Sequence, residues 1–363
     1  MSAHFAKILP LVAAGALVHS AAAQTVEFIP GRARMGGLSA DGNTASVTTR
    51  TSDGRGQLGI WRRGQGVYNA SSEPGFPTDV VTFGLSADAQ VAIGFQYEAA
   101  GIPAFRWSAS TGHQQTPYPS GGTWIQANPD AINGDGSLIA GRAVGNFQTP
   151  DVCWTWSPTT GTQFLPGFSR LLGMSRDGST ILGGDSASLG IVRRNGVNSR
   201  LPAIGTATST TGFASNINGT VVIGSALDGA AVRGYAAVWP IGAPGYLLPS
   251  PAELIYWRGT QITEDLQIVL GTGFGSTDSR DTAAIWTQSR GSELLSTYLA
   301  ANGINLDGYW LLKAQMSDDA RTFLIESTEL STNTFRTMVV TIPAPSVWAC
   351  MLAVPLVARR RRR

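Results

Sequence analysis

The chain has 363 residues, with 26 lysines and arginines against 24 aspartates and glutamates. Lys7 and the five arginines at the C-terminus account for six of the basic residues, so residues 24–342 carry 20 basic and 24 acidic side chains. This slightly acidic body excludes the basic footprint that nucleic-acid binding requires. It holds one histidine, His113, and one cysteine, Cys153, which excludes an intramolecular disulfide and a Cys/His metal cage.

The N-terminus has the three-part pattern of a secretory signal peptide. Lys7 precedes an apolar run from Ile8 to Val18, and three alanines follow shortly after. We expect signal peptidase to cleave after Ala23 and to leave Gln24 as the first residue of the exported protein. The alternative is a buried apolar helix, which the position at the chain start and the Ala-x-Ala ending disfavour.

Seven copies of one motif run through residues 24–342. The clearest read GLSADGNTASV, GLSADAQVAIG, AINGDGSLIAG and GMSRDGSTILG, and all seven copies begin at Gly37, Gly84, Ala131, Gly173, Ala214, Gln261 and Gln315. Ser-x-Asp-Gly is typical of a tight turn, and the β-branched run after it predicts a returning strand. A tryptophan follows after 23 to 25 residues in five copies, at Trp61, Trp107, Trp156, Trp239 and Trp286.

Four antiparallel strands in about 45 residues is the measure of one β-propeller blade. The sequence therefore predicts an all-β fold, a seven-bladed β-propeller over residues 24–342. The last repeat stops after its third strand, while the segment from Phe28 to Gly31 matches the outer-strand segment from Phe164 to Gly167. We expect the N-terminal strand, Val26 to Ile29, to complete the last blade and so close the ring.

The segment SELLSTYLAANG departs from the repeat pattern. It has apolar residues at helical spacing, Ser292 as an N-cap and Gly303 as a stop. These features predict a short helix near residues 292–303 in place of the sixth outer strand.

No catalytic residue, metal ligand or cofactor is predicted from local motifs. NGDGSL at Asn133 begins like a calcium loop but has Leu138 where glycine is needed, and GTGFGS at Gly271 is interpreted as a flexible connection. His113 follows a Ser-Thr-Gly turn and is interpreted as a solvated loop histidine. Cys153 is interpreted as a small buried hydrophobe.

Acids and aromatic residues gather in the connections between second and third strands and between successive repeats. The acids are Glu73, Asp79, Glu98, Asp151, Asp228, Asp278 and Asp281, and the aromatic residues are Phe76, Tyr97, Trp124, Phe147 and Trp257. Two carboxylates suffice for glycoside hydrolysis, and aromatic faces stack on sugar rings. Loops also collect solvated acids of no function, so the ligand-binding residues stay unidentified.

The repeats carry a family resemblance. The pattern G-[LM]-S-x-D-G-x-x-x-x-G, the tryptophan after it and the segment DGYWLLKAQMSDDART resemble the bacterial extracellular HAF-type repeat proteins, and more distantly the repeats of TolB-like propellers. This resemblance covers nearly all of residues 24–342. It implies a surface or secreted propeller with no assigned chemistry.

The C-terminus resembles the sorting signals of the PEP-CTERM class. Pro343, Ala344 and Pro345 stand where that class often has Pro-Glu-Pro, and the run from Ser346 to Ala358 would span about 20 Å as a helix, short of a bilayer core of roughly 30 Å. The arginines that follow would stop export at the membrane; they are Arg359, Arg360, Arg361, Arg362 and Arg363. The resemblance implies transient inner-membrane insertion and removal by an exosortase-type transpeptidase. The alternative is a permanent weak anchor.

The sequence thus predicts three parts: a signal peptide at 1–23, a propeller at 24–342 and a sorting segment at 343–363. The leading functional prediction is a non-catalytic propeller, exported to the cell surface or extracellular matrix, that binds polysaccharide or a protein partner. The alternative is a secreted carbohydrate-active hydrolase or lyase that uses loop carboxylates.

Overall fold

A computed structural model describes residues 25–98, 101–146, 150–185, 187, 189–229, 233–276 and 278–343. The predicted signal peptide with its cleavage site at Ala23 and Gln24, the sorting residues Ala344 and Pro345, and the arginines at 359–363 lie outside these residues. Pro343 follows the last described strand. In the part of the chain that the structure describes, no helix is long and apolar enough to cross a membrane.

The described chain is built mostly of β-strands, as predicted. The first thirteen strands are β1 (Thr25–Ile29), β2 (Arg34–Leu38), β3 (Thr44–Arg50), β4 (Gly56–Arg62), β5 (Gly66–Asn69), β6 (Val80–Leu85), β7 (Val91–Gln96), β8 (Ala104–Ser108), β9 (Gly112–Gln115), β10 (Trp124–Ile132), β11 (Ile139–Gly145), β12 (Val152–Ser157) and β13 (Gly161–Phe164). The others are β14 (Arg170–Met174), β15 (Thr180–Gly184), β16 (Gly190–Arg194), β17 (Val197–Arg200), β18 (Ser209–Ser215), β19 (Val221–Asp228), β20 (Arg233–Pro240), β21 (Tyr246–Leu247), β22 (Tyr256–Ile262), β23 (Ile268–Phe274), β24 (Thr282–Thr287), β25 (Gly291–Leu294), β26 (Tyr309–Met316), β27 (Thr322–Glu329) and β28 (Thr334–Thr341).

These strands form antiparallel sheets in sequence order. Five sheets have four strands each: β2-β3-β4-β5, β6-β7-β8-β9, β10-β11-β12-β13, β14-β15-β16-β17 and β1-β28-β27-β26. Strands β18 to β25 form a sixth sheet, in which a single parallel pair, Gly234 with Tyr256, links two antiparallel groups. The architecture is therefore that of a mostly β protein with several four-stranded antiparallel sheets, consistent with a β-propeller.

The first and last strands of the described chain pair with each other. Strand β1 lies antiparallel to β28, from Thr25 opposite Thr341 to Ile29 opposite Thr337. Glu27 accepts a hydrogen bond of 2.7 Å from the indole of Trp61, which ties β1 to the neighbouring sheet as well. The edge of β28 is thus covered by the strand that begins the described chain.

The Ser-x-Asp turns explain why the motif recurs. In the first turn, Ser39 donates to Asp41 at 2.6 Å and accepts from the backbone N–H of Thr44 at 3.0 Å, while Asp41 accepts from the N–H of Asn43. The same network recurs around Ser86, Ser175, Thr263 and Ser317. The residue after the aspartate position has positive φ in every copy: Gly42, Ala89, Gly136, Gly178, Gly219, Leu266 and Ala320. The repeated motif therefore specifies hairpin turns.

The one α-helix differs in detail from its prediction. Helix α1 spans Leu295–Ala301, and a separate 3₁₀ helix spans Ala70–Ser72. The prediction that Ser292 caps α1 is wrong, because Ser292 lies in β25, pairs with Trp286 and donates its hydroxyl to the carbonyl of Pro249. The sixth outer strand is therefore present, and the helix follows it.

The core lies between neighbouring sheets. Leu58 and Ile60 of β4, for example, pack with Val80, Ala92 and Phe105 of the next sheet, and all five are almost fully buried. Cys153 is buried in a similar layer, which confirms its interpretation as a small hydrophobe, and burial raises the pKa of its thiol to about 12. Each sheet is too thin to bury both faces alone, so stacking against its neighbours supplies the hydrophobic stabilisation.

Candidate functional site

A central cavity of about 420 Å³ lies among the first strands of the successive strand groups. We call β2, β6, β10, β14, β18, β22 and β26 the first strands; each contributes residues to the lining of this cavity. The volume falls within the range of small-molecule sites. The lining mixes glycines and apolar side chains with polar and charged ones, and the charged side chains determine what it can bind.

A β-bulge recurs in all seven first strands of the described chain. The residue left unpaired between two register positions is Gly36, Phe83, Asp130, Leu172, Phe213, Thr260 or Leu312. A bulge locally breaks the ladder and redirects a side chain, and bulges are common beside functional sites. Among these seven residues only Asp130 is charged, so one carboxylate stands at a bulge position in the cavity wall.

Asp130 is held without a hydrogen-bond donor. Pro129, the preceding residue, is buried in β10 and has no N–H to offer, which suits a bulge. No side chain or backbone N–H of the described residues donates to the Asp130 carboxyl. Burial raises the pKa of Asp130 to about 7, although the positive charge of Arg142 opposes the shift. A carboxyl group with this pKa exchanges a proton readily near neutral pH.

Cationic side chains share the cavity with Asp130. Arg258 of β22 is half-buried, its Nε is buried without a hydrogen-bond partner, and its guanidinium carbon lies 4.9 Å from the ring centre of Phe213. No carboxylate of the described residues forms an ion pair with it. Lys313 of β26 also lines the cavity and lies 3.6 Å from Asp281. The guanidinium of Arg258 therefore lines the cavity without an anionic partner and is suited to bind an anionic ligand.

The Ser-x-Asp turns bound one end of the cavity, which we call the turn end. Backbone hydrogen bonds connect successive turns, including Ala40 N–H to Ala87, Asp88 to Gly134, Gly134 to Arg176, Asp177 to Ile217 and Asp318 to Ala40. The guanidinium of Arg176 forms a two-pronged ion pair with the carboxylate of Asp318 across this end. Two acids besides Asp130 line the cavity, and both are engaged at this end. Asp318 pairs with Arg176, and Glu264 accepts a hydrogen bond of 2.9 Å from the N–H of Ile217.

The loop acids singled out from the sequence do not line the central cavity. Each has its own local partner in the structure: Glu73 with Tyr68 and Trp107, Asp79 with the N–H of Gly56, Glu98 with Gln96, Asp151 with the N–H of Gly145, Asp228 with Thr206, Asp278 with Arg280, and Asp281 with Lys313. Trp257 is fully buried, Tyr97 is exposed, and Phe147 lies outside the described residues. Each of these acids is therefore engaged by a hydrogen bond or an ion pair.

Two further interpretations are corrected. His113 is not a solvated loop residue: it lies in β9, half-buried against Phe76 and Phe105, with its Nε2 2.6 Å from Oε1 of Gln96. The segment at Gly271 is not a flexible connection, because its residues up to Phe274 belong to β23. Strand pairing on both sides and close backbone approach require glycine at this position.

Comparison with known proteins gives the fold and little more. No family model and no curated protein matches the chain. An oligogalacturonate lyase in complex with manganese matches with a TM-score of 0.59 at 12% identity, covering 89% of this chain and 92% of that one. The oligogalacturonate lyase of Vibrio parahaemolyticus matches with the same TM-score at 11% identity and the same coverage. The β-propeller domain of the Trilobed protease from Pyrococcus furiosus matches with a TM-score of 0.57 at 9% identity, covering 87% of this chain and 94% of that domain. This chain therefore has a β-propeller fold.

These matches overturn the leading functional prediction. Two of the structures most similar to this chain are lyases, and a non-catalytic role is thereby contradicted. The manganese of the first match does not fit here, because the described residues contain no group of three or more His, Cys, Asp or Glu side chains that could hold a metal ion.

Proposed function

We propose that this protein is a carbohydrate-active lyase that cleaves chains of uronic acid in the central cavity by β-elimination. The observation that carries the proposal is the placement of Asp130 on a bulge, without a hydrogen-bond donor, in the same cavity as Arg258. The similarity in fold to two oligogalacturonate lyases supports it. The alternative prediction from the sequence assigned catalysis to loop carboxylates, whereas this proposal assigns it to Asp130.

The proposed reaction needs one base and one cation. Asp130, as carboxylate, takes the proton from C5, the carbon next to the uronate carboxylate. The electron pair of the C5–H bond forms the C4=C5 double bond, the C4–O bond breaks, and the departing glycosidic oxygen takes up a proton from water. Asp130 then returns its proton to the solvent. Arg258 would pair with the uronate carboxylate and stabilise the negative charge that develops on it in the transition state.

Elimination fits the cavity better than hydrolysis does. Glycoside hydrolysis requires two available carboxyl groups roughly 5 to 9.5 Å apart. The other two acids of the lining, Asp318 and Glu264, are engaged by Arg176 and by the N–H of Ile217. Asp130 is therefore the carboxyl group of the cavity that is free to exchange a proton.

The test is activity of the full chain on polygalacturonate, with a neutral glucan as the contrasting substrate. Products of elimination carry a conjugated double bond that absorbs ultraviolet light, whereas hydrolysis yields new reducing ends without that absorbance. We expect absorbance from polygalacturonate and its loss by a factor of roughly 10² to 10⁴ in Asp130→Asn. Asp307→Asn, at an exposed acid, serves as the matched control. Reducing ends without absorbance, or binding without either product, would overturn the proposal.

We further propose that the strand groups form seven blades closed by β1, and that the protein acts outside the cytoplasm. Pairing of β1 with β28 and the hydrogen bonds from the last turn to the first support closure. The patterns at 1–23 and 343–363 support export, cleavage after Ala23 and removal of the C-terminal segment by an exosortase-type transpeptidase, as expected for a HAF-type repeat protein with a PEP-CTERM-like signal. Mass spectrometry of the secreted protein tests this: a chain that keeps residue 1 or residue 363 contradicts it.

A further inference from the structure

A column of three aromatic side chains extends from the central cavity along strands β6 and β7. Phe83 lines the cavity, its ring centre lies 5.3 Å from that of Phe95, and Phe95 lies 5.2 Å from Tyr97 with its ring perpendicular. The middle ring is buried, while Phe83 and Tyr97 are 39% and 49% exposed. Two exposed aromatic rings are thus held in place by a buried third.

The column starts beside the proposed base. Phe83 is the bulged residue of β6 and Asp130 is the bulged residue of β10, so the two occupy equivalent positions in neighbouring sheets. The two strands approach closely, because a Cβ atom at Gly84 would lie 3.3 Å from a methyl group of Ile132. From there β7 carries the column away from the turn end, since Tyr97 follows the last residue of that strand.

A second cavity, of about 490 Å³, opens where the column ends. Its lining includes Phe76, Gln96, Tyr97, Glu98 and His113. It is an open recess with one exposed aromatic face and several polar groups. This combination of an apolar platform with a few placed hydrogen-bonding groups is what a sugar ring requires.

The polar groups of this recess are held by a buried amide. Gln96 is 2% exposed and contacts Glu98 through its Nε2 and His113 through its Oε1, the latter at 2.6 Å. An amide nitrogen can only donate and an amide oxygen can only accept, so the proton of the imidazole must sit on Nε2. Burial lowers the pKa of His113, which favours the neutral ring, in which Nδ1 is an acceptor. The recess therefore presents acceptors for sugar hydroxyls and no cation for a carboxylate.

We propose that Phe83 and Tyr97, held in place by the buried ring of Phe95, form a stacking path that leads a substrate chain from the central cavity to an outer subsite at Tyr97 and His113. The proposal rests on the proposed function, since it assigns that same cavity a long polysaccharide chain as substrate. The outer subsite holds a sugar unit by its hydroxyl face, while the unit being cleaved lies at Asp130. The protein is thereby expected to bind long oligomers more tightly than short ones.

The experiment measures binding by calorimetry of oligogalacturonates of two to eight units to the full chain carrying Asp130→Asn, which prevents turnover. We expect affinity to increase with chain length, and Tyr97→Ala added to this background to remove the increase, by about tenfold for the longest oligomer. Tyr97→Phe should retain it, because the ring is kept. Tyr246→Ala, at a tyrosine exposed to a similar extent (43%) in β21, is the matched control and should bind as the parent does.

The outcomes separate the two proposals. Affinity that does not depend on chain length, or that Tyr97→Ala leaves unchanged, overturns the stacking path even when the wild-type enzyme cleaves polygalacturonate. Length-dependent binding lost in Tyr97→Ala supports the path even when the wild-type protein yields no product, in which case only the proposed catalysis is wrong. Absence of binding to every oligomer overturns both.

Discussion

Asp130→Asn should stabilise the fold at alkaline pH while it removes activity. Burial raises the pKa of Asp130 from its ordinary value of 3.8 to about 7, a difference of about 3 pH units at about 1.4 kcal/mol per unit. The unfolded chain therefore releases this proton near pH 4, whereas the folded protein keeps it until near pH 7. Between these values the folded state binds more protons, so its stability falls as the pH rises. The full cost of ionising this partly buried carboxyl is thus at most about 4 kcal/mol.

The asparagine variant lacks this pH-dependent cost. The difference in free energy of unfolding between Asp130→Asn and the wild-type protein should increase in favour of the variant from pH 5 to pH 8, by about 2 to 4 kcal/mol. Urea denaturation of both proteins at several pH values measures it, and Asp307→Asn controls for the general effect of removing an acid. In parallel, kcat/KM of the wild-type enzyme on polygalacturonate should increase about tenfold from pH 6 to pH 8 as Asp130 loses its proton. A stability difference that does not change with pH would refute the reasoning, because Asp130 would then not ionise near neutral pH.

Three further changes test the cavity and the scaffold. Arg258→Met keeps the bulk of the side chain but removes the charge, and kcat/KM on polygalacturonate should fall by a factor of about 10² to 10³, with Arg258→Lys losing less; equal activity would show that the guanidinium does not contact substrate. Ala89→Gly should raise the free energy of unfolding by about 0.5 to 1 kcal/mol, because φ is +63° at this turn position. Gly42→Ala should lower the free energy of unfolding, because the added Cβ would lie 2.5 Å from Thr322. Thermal melts that rank the two variants in the opposite order would contradict this account. Ile29→Ala should cost about 2 to 4 kcal/mol in urea denaturation because Ile29 is buried among side chains of both ends of the chain, and a cost below 1 kcal/mol would show that β1 is frayed in solution.

The sequence predicted the parts of this fold that depend on local chemistry. Ser39 and Asp41 specify a turn through bonds to residues within five positions, and so the repeats could be read directly. The helix was found, but Ser292 was assigned to its start because pairing with β24 cannot be read from helical spacing. His113 was placed in a loop because its partner Gln96 is distant in sequence.

The candidate site was missed for a related reason. Asp130 belongs to no motif, and its chemistry comes from a bulge and from burial, both of which arise only when the sheets pack. One signal was available in the aligned repeats. The residue directly before the start of each copy is Gly36, Phe83, Asp130, Leu172, Phe213, Thr260 or Ala314, and aspartate is the single charged residue in this column. The loop acids drew attention instead because loops expose charge, although each is engaged by a hydrogen bond or an ion pair.

The pairing of β1 with β28 also determines when folding can be completed during synthesis. A chain is made from its N-terminus, so Thr25 exists long before Thr341, the residue it lies opposite. Until residue 341 has been synthesised, β1 has neither its hydrogen-bond partner nor the side chains that bury Ile29. The nascent chain therefore holds an unsatisfied strand at its leading end throughout translation, and the last sheet forms only when synthesis is nearly complete. A chain released before β28 is made lacks the contacts that join its two ends.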